Sequence, residues 1–226
     1  MAENVVDEIR DDELADNPTK RVPVCLCLDV SRSMEGEPIE QLNEGVKLFY
    51  EAINDDLQAK QAADVCVVTF ASHANKVQDF QSIIGEMSPQ FSTEGDSTHM
   101  GEGVNLALDL LETRKKEYQE SGVEYFQPWL VLITDGEPHD NYQSAARRTS
   151  DLANNRKLTI FPIGVEDANL NILKEFSPKR RPIKLKGLNF KEFFQWLSQS
   201  VSITSNSKEG ETIQLSSTDD WASVEP

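Results

Sequence analysis

Three cysteines among 226 residues are too few, and the wrong parity, to staple this chain with disulfides. Staples are not needed at this length: a domain of roughly 180 residues buries about 70% of its unfolded surface. Cys25, Cys27 and Cys66 sit in apolar runs and read as reduced, buried side chains rather than metal or redox groups. No run of about 18 apolar residues exists, which argues against a membrane-spanning helix. No charged start leads into an apolar segment of signal-peptide type. These absences together predict a cytoplasmic protein. Basic residues are also scarce: 22 Lys and Arg face 39 Asp and Glu, a formal charge of −17. Such a chain repels nucleic acid and anionic membranes, and attracts cations and basic protein surfaces. Nucleotide and hydrolase signatures are missing too. Neither G-x-x-x-x-G-K-[ST] nor G-x-S-x-G occurs, and the GEG at Gly101–Gly103 lacks the third glycine of a dinucleotide loop.

What is present falls into three parts. Residues 1–20 carry seven acids and two bases and read as a solvated, flexible arm. Residues 203–226 are acidic and rich in Ser and Thr, and read as a flexible tail with one sticky point at Trp221. The tail hydroxyls, among them Thr204, Ser216 and Thr218, are candidate phosphate acceptors. Residues 21–202 form the folded domain.

Two periodicities alternate within that domain. Apolar runs at Val22–Val30, Asp64–Phe70, Pro128–Thr134 and Leu158–Val165 suit strands buried on both faces. The alternating stretch Asn75–Phe80 suits an antiparallel partner of the second run. Ile39, Leu42, Val46, Phe49, Ile53 and Leu57 recur at helical spacing behind Pro38, which fits the first helical turn. Further helices are predicted over Met100–Leu111, Asn141–Asn154, Leu170–Phe176 and Phe190–Val201, with a short strand at Pro182–Leu185. Strands separated by helices imply an α/β fold: a doubly wound, mostly parallel sheet with helices on both faces and one antiparallel edge strand. Pro162 within a strand predicts a bulge or an edge-like position there.

Oxygen donors cluster at the ends of these strands. Asp29, Ser31 and Ser33 directly follow the first run, Asp96 and Thr98 lie in the loop before a helix, and Asp135 ends the run PWLVLIT. In doubly wound sheets ligands gather at the carboxyl ends of the strands. Carboxylates and hydroxyls are hard donors that select Mg²⁺, Mn²⁺ or Ca²⁺. With hydroxyls bound directly and the acids acting through water, such an ion keeps an open position and much of its charge, and so attracts a carboxylate from outside. His99 and His139 flank two of these loops and read as solvent-facing, as does His73; Lys179-Arg180-Arg181 reads as a solvated turn.

The combination D-x-S-x-S, a distant Thr before a helix, and T-D-G resembles the metal-ion-dependent adhesion site of von Willebrand factor type A domains, over about Val22–Val201. LDVSRSMEGEPIEQLNEGVKLF and LVLITDGEPHD are most similar to the bacterial TerY-like branch, associated with tellurium resistance and stress. The resemblance implies a Rossmann-like sheet, a metal set of Asp29, Ser31, Ser33, Thr98 and Asp135, and no catalysis. Asp96 and Asp140 are candidates for supporting those ligands, or for helix caps. Arg32 departs from the glycine common at its position, which implies a crowded first loop or a contact to a partner's acid. The implied partner is a protein that supplies Asp or Glu to the metal, with a Ser/Thr kinase or phosphatase as one class. The rival is a Mg²⁺-dependent phosphohydrolase of haloacid-dehalogenase type, which needs a second acid where Ser31 stands.

Overall fold

The computed structural model describes residue 17, residues 19–208 and residues 215–223. The acidic arm read over residues 1–20 lies, but for its last few positions, outside them. Strand β1 (Val22–Asp29) is buried at all eight positions. Its even residues Val24, Leu26 and Leu28 enter one apolar core, and Cys25 and Cys27 enter the other. This two-sided burial is why the run shows no polar alternation. The cysteines are free and buried, as expected.

After a 3-10 turn (Arg32–Met34), helix α1 (Glu37–Asp55) starts at Gly36, whose φ of 88° favours glycine, and buries Leu42, Val46, Phe49 and Ile53. It stops short of the expected Leu57, which is 73% exposed. Asp56 interrupts the stripe because its carboxylate caps a separate helix, α2 (Leu57–Ala62), by accepting from the N–H groups of Gln58 and Ala59. Strands β2 (Ala63–Phe70) and β3 (Ala74–Gln81) form an antiparallel pair. Helix α3 (Met100–Glu120), strand β4 (Trp129–Thr134), helix α4 (Gln143–Asn154) and strand β5 (Thr159–Gly164) follow. Helix α5 (Leu170–Phe176), strand β6 (Ile183–Leu185), helix α6 (Phe190–Ser205) and strand β7 (Ala222–Ser223) complete the described chain.

The seven strands are ordered β3-β2-β1-β4-β5-β6-β7. From β2 to β6 all pairings are parallel, and β3 is the expected antiparallel edge. The pairing of β7 to β6 adds an antiparallel contact at the other edge. Pro162 takes the edge-like option, because β6 is short and pairs only with Ile163 and Gly164. One core packs α1 and α6 on the sheet, the other packs α3, α4 and α5. The chain builds outward from β1 to β2 and β3, then returns to the other side of β1 with β4. The sheet therefore reverses its winding between β1 and β4.

The stretch read as a flexible tail is partly tied down. Trp221 is 8% exposed and packs on Phe193 and Trp196, and Trp196 Nε1 donates to Ser216 O at 3.0 Å. Thr204, read as a tail hydroxyl, is buried within α6. Arg180 departs from a purely solvated turn by laying its guanidinium 4.6 Å from the Phe161 ring centroid. No helix among the described residues is long and apolar enough to cross a membrane.

Candidate metal centre

The winding reversal brings Asp29 and the Thr134–Asp135 pair to one edge of the sheet. Register pairs Leu28 with Ile133, so the next residues of β1 and β4, Asp29 and Thr134, are neighbours at the carboxyl end of the sheet. Asp29 is fully buried and both its oxygens are engaged: Oδ1 accepts from Ser31 N–H at 2.9 Å, and Oδ2 from the Thr134 hydroxyl at 2.6 Å. The first contact is a side-chain-to-backbone turn of the kind aspartate forms two residues ahead of itself. It bends the chain into the 3-10 turn, which buried Met34 anchors.

That turn projects two hydroxyls. Ser31 Oγ and Ser33 Oγ lie 3.1 Å apart, and Ser33 Oγ donates to Asp135 Oδ1 at 2.8 Å. Thr98 Oγ1 closes on Ser31 Oγ at 3.3 Å. Four residues from three separate segments thus form a connected arc of oxygens, with Asp29 behind it. All five residues of the expected set converge.

The middle loop is strapped to its neighbours. Glu94 N–H donates to Val30 O at 2.7 Å and Arg32 N–H to Gly95 O at 3.2 Å. Gly95 has φ +61°, and a Cβ there would lie 2.3 Å from Ser72 Oγ, so only glycine fits. His139 clamps Thr98 from the third loop: its N–H donates to Thr98 O at 2.9 Å, and its Nδ1 accepts from Thr98 N–H at 3.0 Å. His139 is exposed, as expected, and its contacts to Thr98 also position a site residue.

The two supporting candidates separate. Asp140 accepts from Gly101 N–H at 3.1 Å and Glu102 N–H at 2.8 Å, which makes it a cap delivered across space to α3. Asp96 turns away to an exposed pair with Arg32 at 3.1 Å. Arg32 also lies 3.8 Å from Glu35, so its charge is spent on this chain's own surface rather than in the first loop. Thr134 is the residue missed by sequence reasoning. Its signal was its place between the apolar run and Asp135.

Electrostatically the site is short of positive charge. Burial pushes the Asp29 carboxyl from 3.8 up to about 6, against the lowering effect of its hydrogen bonds from Ser31 and Thr134. Burial also raises Asp135, and its bond from Ser33 offsets this in part. Neither acid has an ion-pair partner among the described residues. Buried charges are normally paired or ligate a metal.

Comparison with known proteins agrees with this architecture. The family model described as the von Willebrand factor type A domain matches residues 24–195. The uncharacterised protein sll0103 of Synechocystis is 26% identical over 160 residues, which cover 68% of this chain and 34% of that protein. This chain thus spans about a third of that relative's length. Among solved structures, BatB from Bacteroides thetaiotaomicron superposes with a TM-score of 0.55 at 21% identity, covering 82% of this chain and 100% of that one. The pilus tip protein Mfa5 domain from Porphyromonas gingivalis gives 0.58 at 12% identity, covering 85% and 99%. The pilus adhesin SpaC from Lactobacillus rhamnosus GG gives 0.63 at 14% identity, covering 82% of this chain and 31% of that one. These likenesses are of fold.

Proposed function

This chain belongs to the von Willebrand factor type A family, and from that premise we propose that it is a metal-dependent protein-interaction module. Domains of this family are mostly non-enzymatic modules of interaction and adhesion type. Here Ser31, Ser33 and Thr98 would hold the ion by their hydroxyls, with Asp29 and Asp135 supplying negative charge beside them. The carrying observation is the pair of buried acids, both raised by burial and neither ion-paired to a basic side chain among the described residues, beside an arc of hydroxyls. Neighbouring oxygens in the arc are 2.8, 3.1 and 3.3 Å apart. Hydroxyl and carboxylate oxygens of this kind select a hard divalent ion, Mg²⁺, Mn²⁺ or Ca²⁺. The ion supplies a Lewis-acidic position that a partner's Asp or Glu can complete.

Phosphohydrolysis of haloacid-dehalogenase type finds no support. Ser31 occupies the position of the needed second acid, and both oxygens of Asp29 are held by hydrogen bonds rather than presented as a nucleophile. The sequence likeness of the first and third loops to TerY-like proteins supports a role in bacterial stress signalling, with a Ser/Thr kinase or phosphatase among the partner classes. Three buried, reduced cysteines fit action in the cytoplasm.

The experiment is co-purification from cells with Mg²⁺ or with EDTA, repeated with Asp29→Ala. Capture that is lost with chelator and with the variant is expected. Capture indifferent to both sinks the reading.

A further inference from the structure

Beside the oxygen arc a second group of ligating side chains converges, and the proposed function leaves it unused. His73 lies in the turn between β2 and β3, His99 at the N-cap of α3, and Glu102 in the first turn of that helix. One ligand atom from each lies within 4.8 Å of the other two. His99 Nδ1 is 3.4 Å from Glu102 Oε2, and the two imidazoles meet edge-on with centroids 6.1 Å apart.

The group is held from behind by main chain. Ala71 N–H donates to His73 O at 3.1 Å, and Ala71 O accepts from His99 N–H at 2.7 Å, so one residue fixes the backbone of both histidines. Glu102 N–H donates to Asp140 Oδ2 at 2.8 Å, and Glu102 Oε1 accepts from Ala74 N–H at 3.2 Å, which leaves Oε2 facing His99. Fixing a carboxylate through its other oxygen is how metal sites aim a ligand. His99 and Glu102 share one helix face by their spacing of three.

We propose that His73, His99 and Glu102 form a second metal site, for a Zn²⁺-class ion, with one coordination position open. Imidazole suits Zn²⁺, Co²⁺ and Ni²⁺. Three protein ligands around a tetrahedral ion leave a fourth place for water or a partner's side chain. Bonds of about 2.0–2.1 Å put tetrahedral ligand atoms roughly 3.3–3.4 Å apart, a separation His99 and Glu102 already have. The exposed His73 ring completes the set from the β2–β3 turn, its ligand atom within 4.8 Å of the other two. The two sites differ in donor class, so hard ions sort to the oxygen arc and borderline ions to the histidines. Because His99 follows Thr98, occupancy ties the β2–β3 turn to the start of α3 at the threonine edge of the arc. The assignment stands on its own residues, whether or not the arc binds Mg²⁺.

The test is calorimetric titration of the tag-free, chelator-stripped full chain with Zn²⁺ in excess Mg²⁺, with Co²⁺ absorption as a second readout. Wild type is expected to take up one Zn²⁺ and to give the visible bands of a low-coordinate Co²⁺ site. His73→Gln and Glu102→Gln should each weaken Zn²⁺ by about tenfold or more. His73→Gln combined with His99→Gln should abolish both signals, with the circular dichroism spectrum unchanged. No Zn²⁺ uptake by wild type at micromolar concentrations, or undiminished uptake by the double variant, overturns the proposal. Failure of the oxygen-arc reading shows up separately, as absence of any Mg²⁺ signal in a titration without Zn²⁺.

Discussion

Ser33 Oγ donates to Asp135 Oδ1 across 2.8 Å, joining residues 102 positions apart at the seam between β1 and β4. The serine is exposed, but its hydroxyl is bonded to a buried carboxylate. Ser33→Ala is expected to lower Mg²⁺ affinity about tenfold or more and to destabilise the protein in EDTA by about 1 kcal/mol, through the hydrogen bond lost at Asp135. Calorimetric Mg²⁺ titration and chemical denaturation measure the two. Unchanged Mg²⁺ affinity would remove Ser33 from the proposed ligand set.

Asp29 gives the site a pH dependence of defined sign. Its carboxyl rises from 3.8 unfolded to about 6 folded, with burial the main cause. Between those values the folded metal-free state binds more protons than the unfolded one, so this group's contribution to stability falls as pH rises through that window. The cost of ionising it at pH 7 is on the order of 2–3 kcal/mol. Asp29→Asn removes that cost. In EDTA the variant should gain on wild type between pH 4 and pH 7, and in saturating Mg²⁺ the order should reverse, because the ion favours the charged acid. Denaturation of both proteins at the two pH values, with and without Mg²⁺, reads this out. A stability difference independent of pH would show that Asp29 is not the titrating group.

The legible features were those carried by local pattern. The apolar runs gave β1, β2, β4 and β5 to within a residue or two, and Asp29 and Asp135 announced themselves by ending such runs. What stayed hidden depends on contacts between distant segments. Thr134 reads as one more strand residue until register sets it beside Asp29. His139 reads as loop surface until its ring accepts from the Thr98 backbone. Strand β7 is two residues long, too short for any periodicity, and lies beside β6 where Trp221 packs on Trp196. Asp56 looks like any polar helix residue, and only its captured N–H groups show that it splits one helix into two.

Helix α1 carries a glycine whose substitution should run against helix propensity. Replacing a mid-helix Gly by Ala ordinarily stabilises by up to about 1 kcal/mol. At Gly45 the new Cβ would lie 2.6 Å from Phe194 Cδ2 and 3.2 Å from the Phe190 carbonyl oxygen, where α6 crosses α1. Gly45→Ala is therefore expected to destabilise by about 1–3 kcal/mol, as overpacked cores do. Urea denaturation checks it, and a gain in stability would mean that the two helices separate without penalty.

The opposite end of the sheet holds a charge cluster that should matter for folding and not for metal. Asp64, at the start of β2, is 2% exposed, and its Oδ2 accepts from Arg114 Nε at 2.7 Å and from the Tyr118 hydroxyl. Arg114 is itself 5% exposed, and a second guanidinium nitrogen reaches Glu117 at 2.7 Å. Burial opposes the charge on Arg114, but Asp64, Tyr118 and Glu117 together more than offset it and hold the guanidinium above its ordinary range. Arg114→Met would strand Asp64 as a buried, unpaired anion, with an expected loss of about 3–5 kcal/mol. Adding Asp64→Asn removes that anion while leaving an acceptor for Tyr118, so the double variant should recover most of the loss. A double variant as unstable as the single one would place the damage in lost packing rather than in stranded charge. Folded Arg114→Met protein should still bind Mg²⁺ like wild type, because the oxygen arc sits at the carboxyl end of the strands and shares no residue with this cluster.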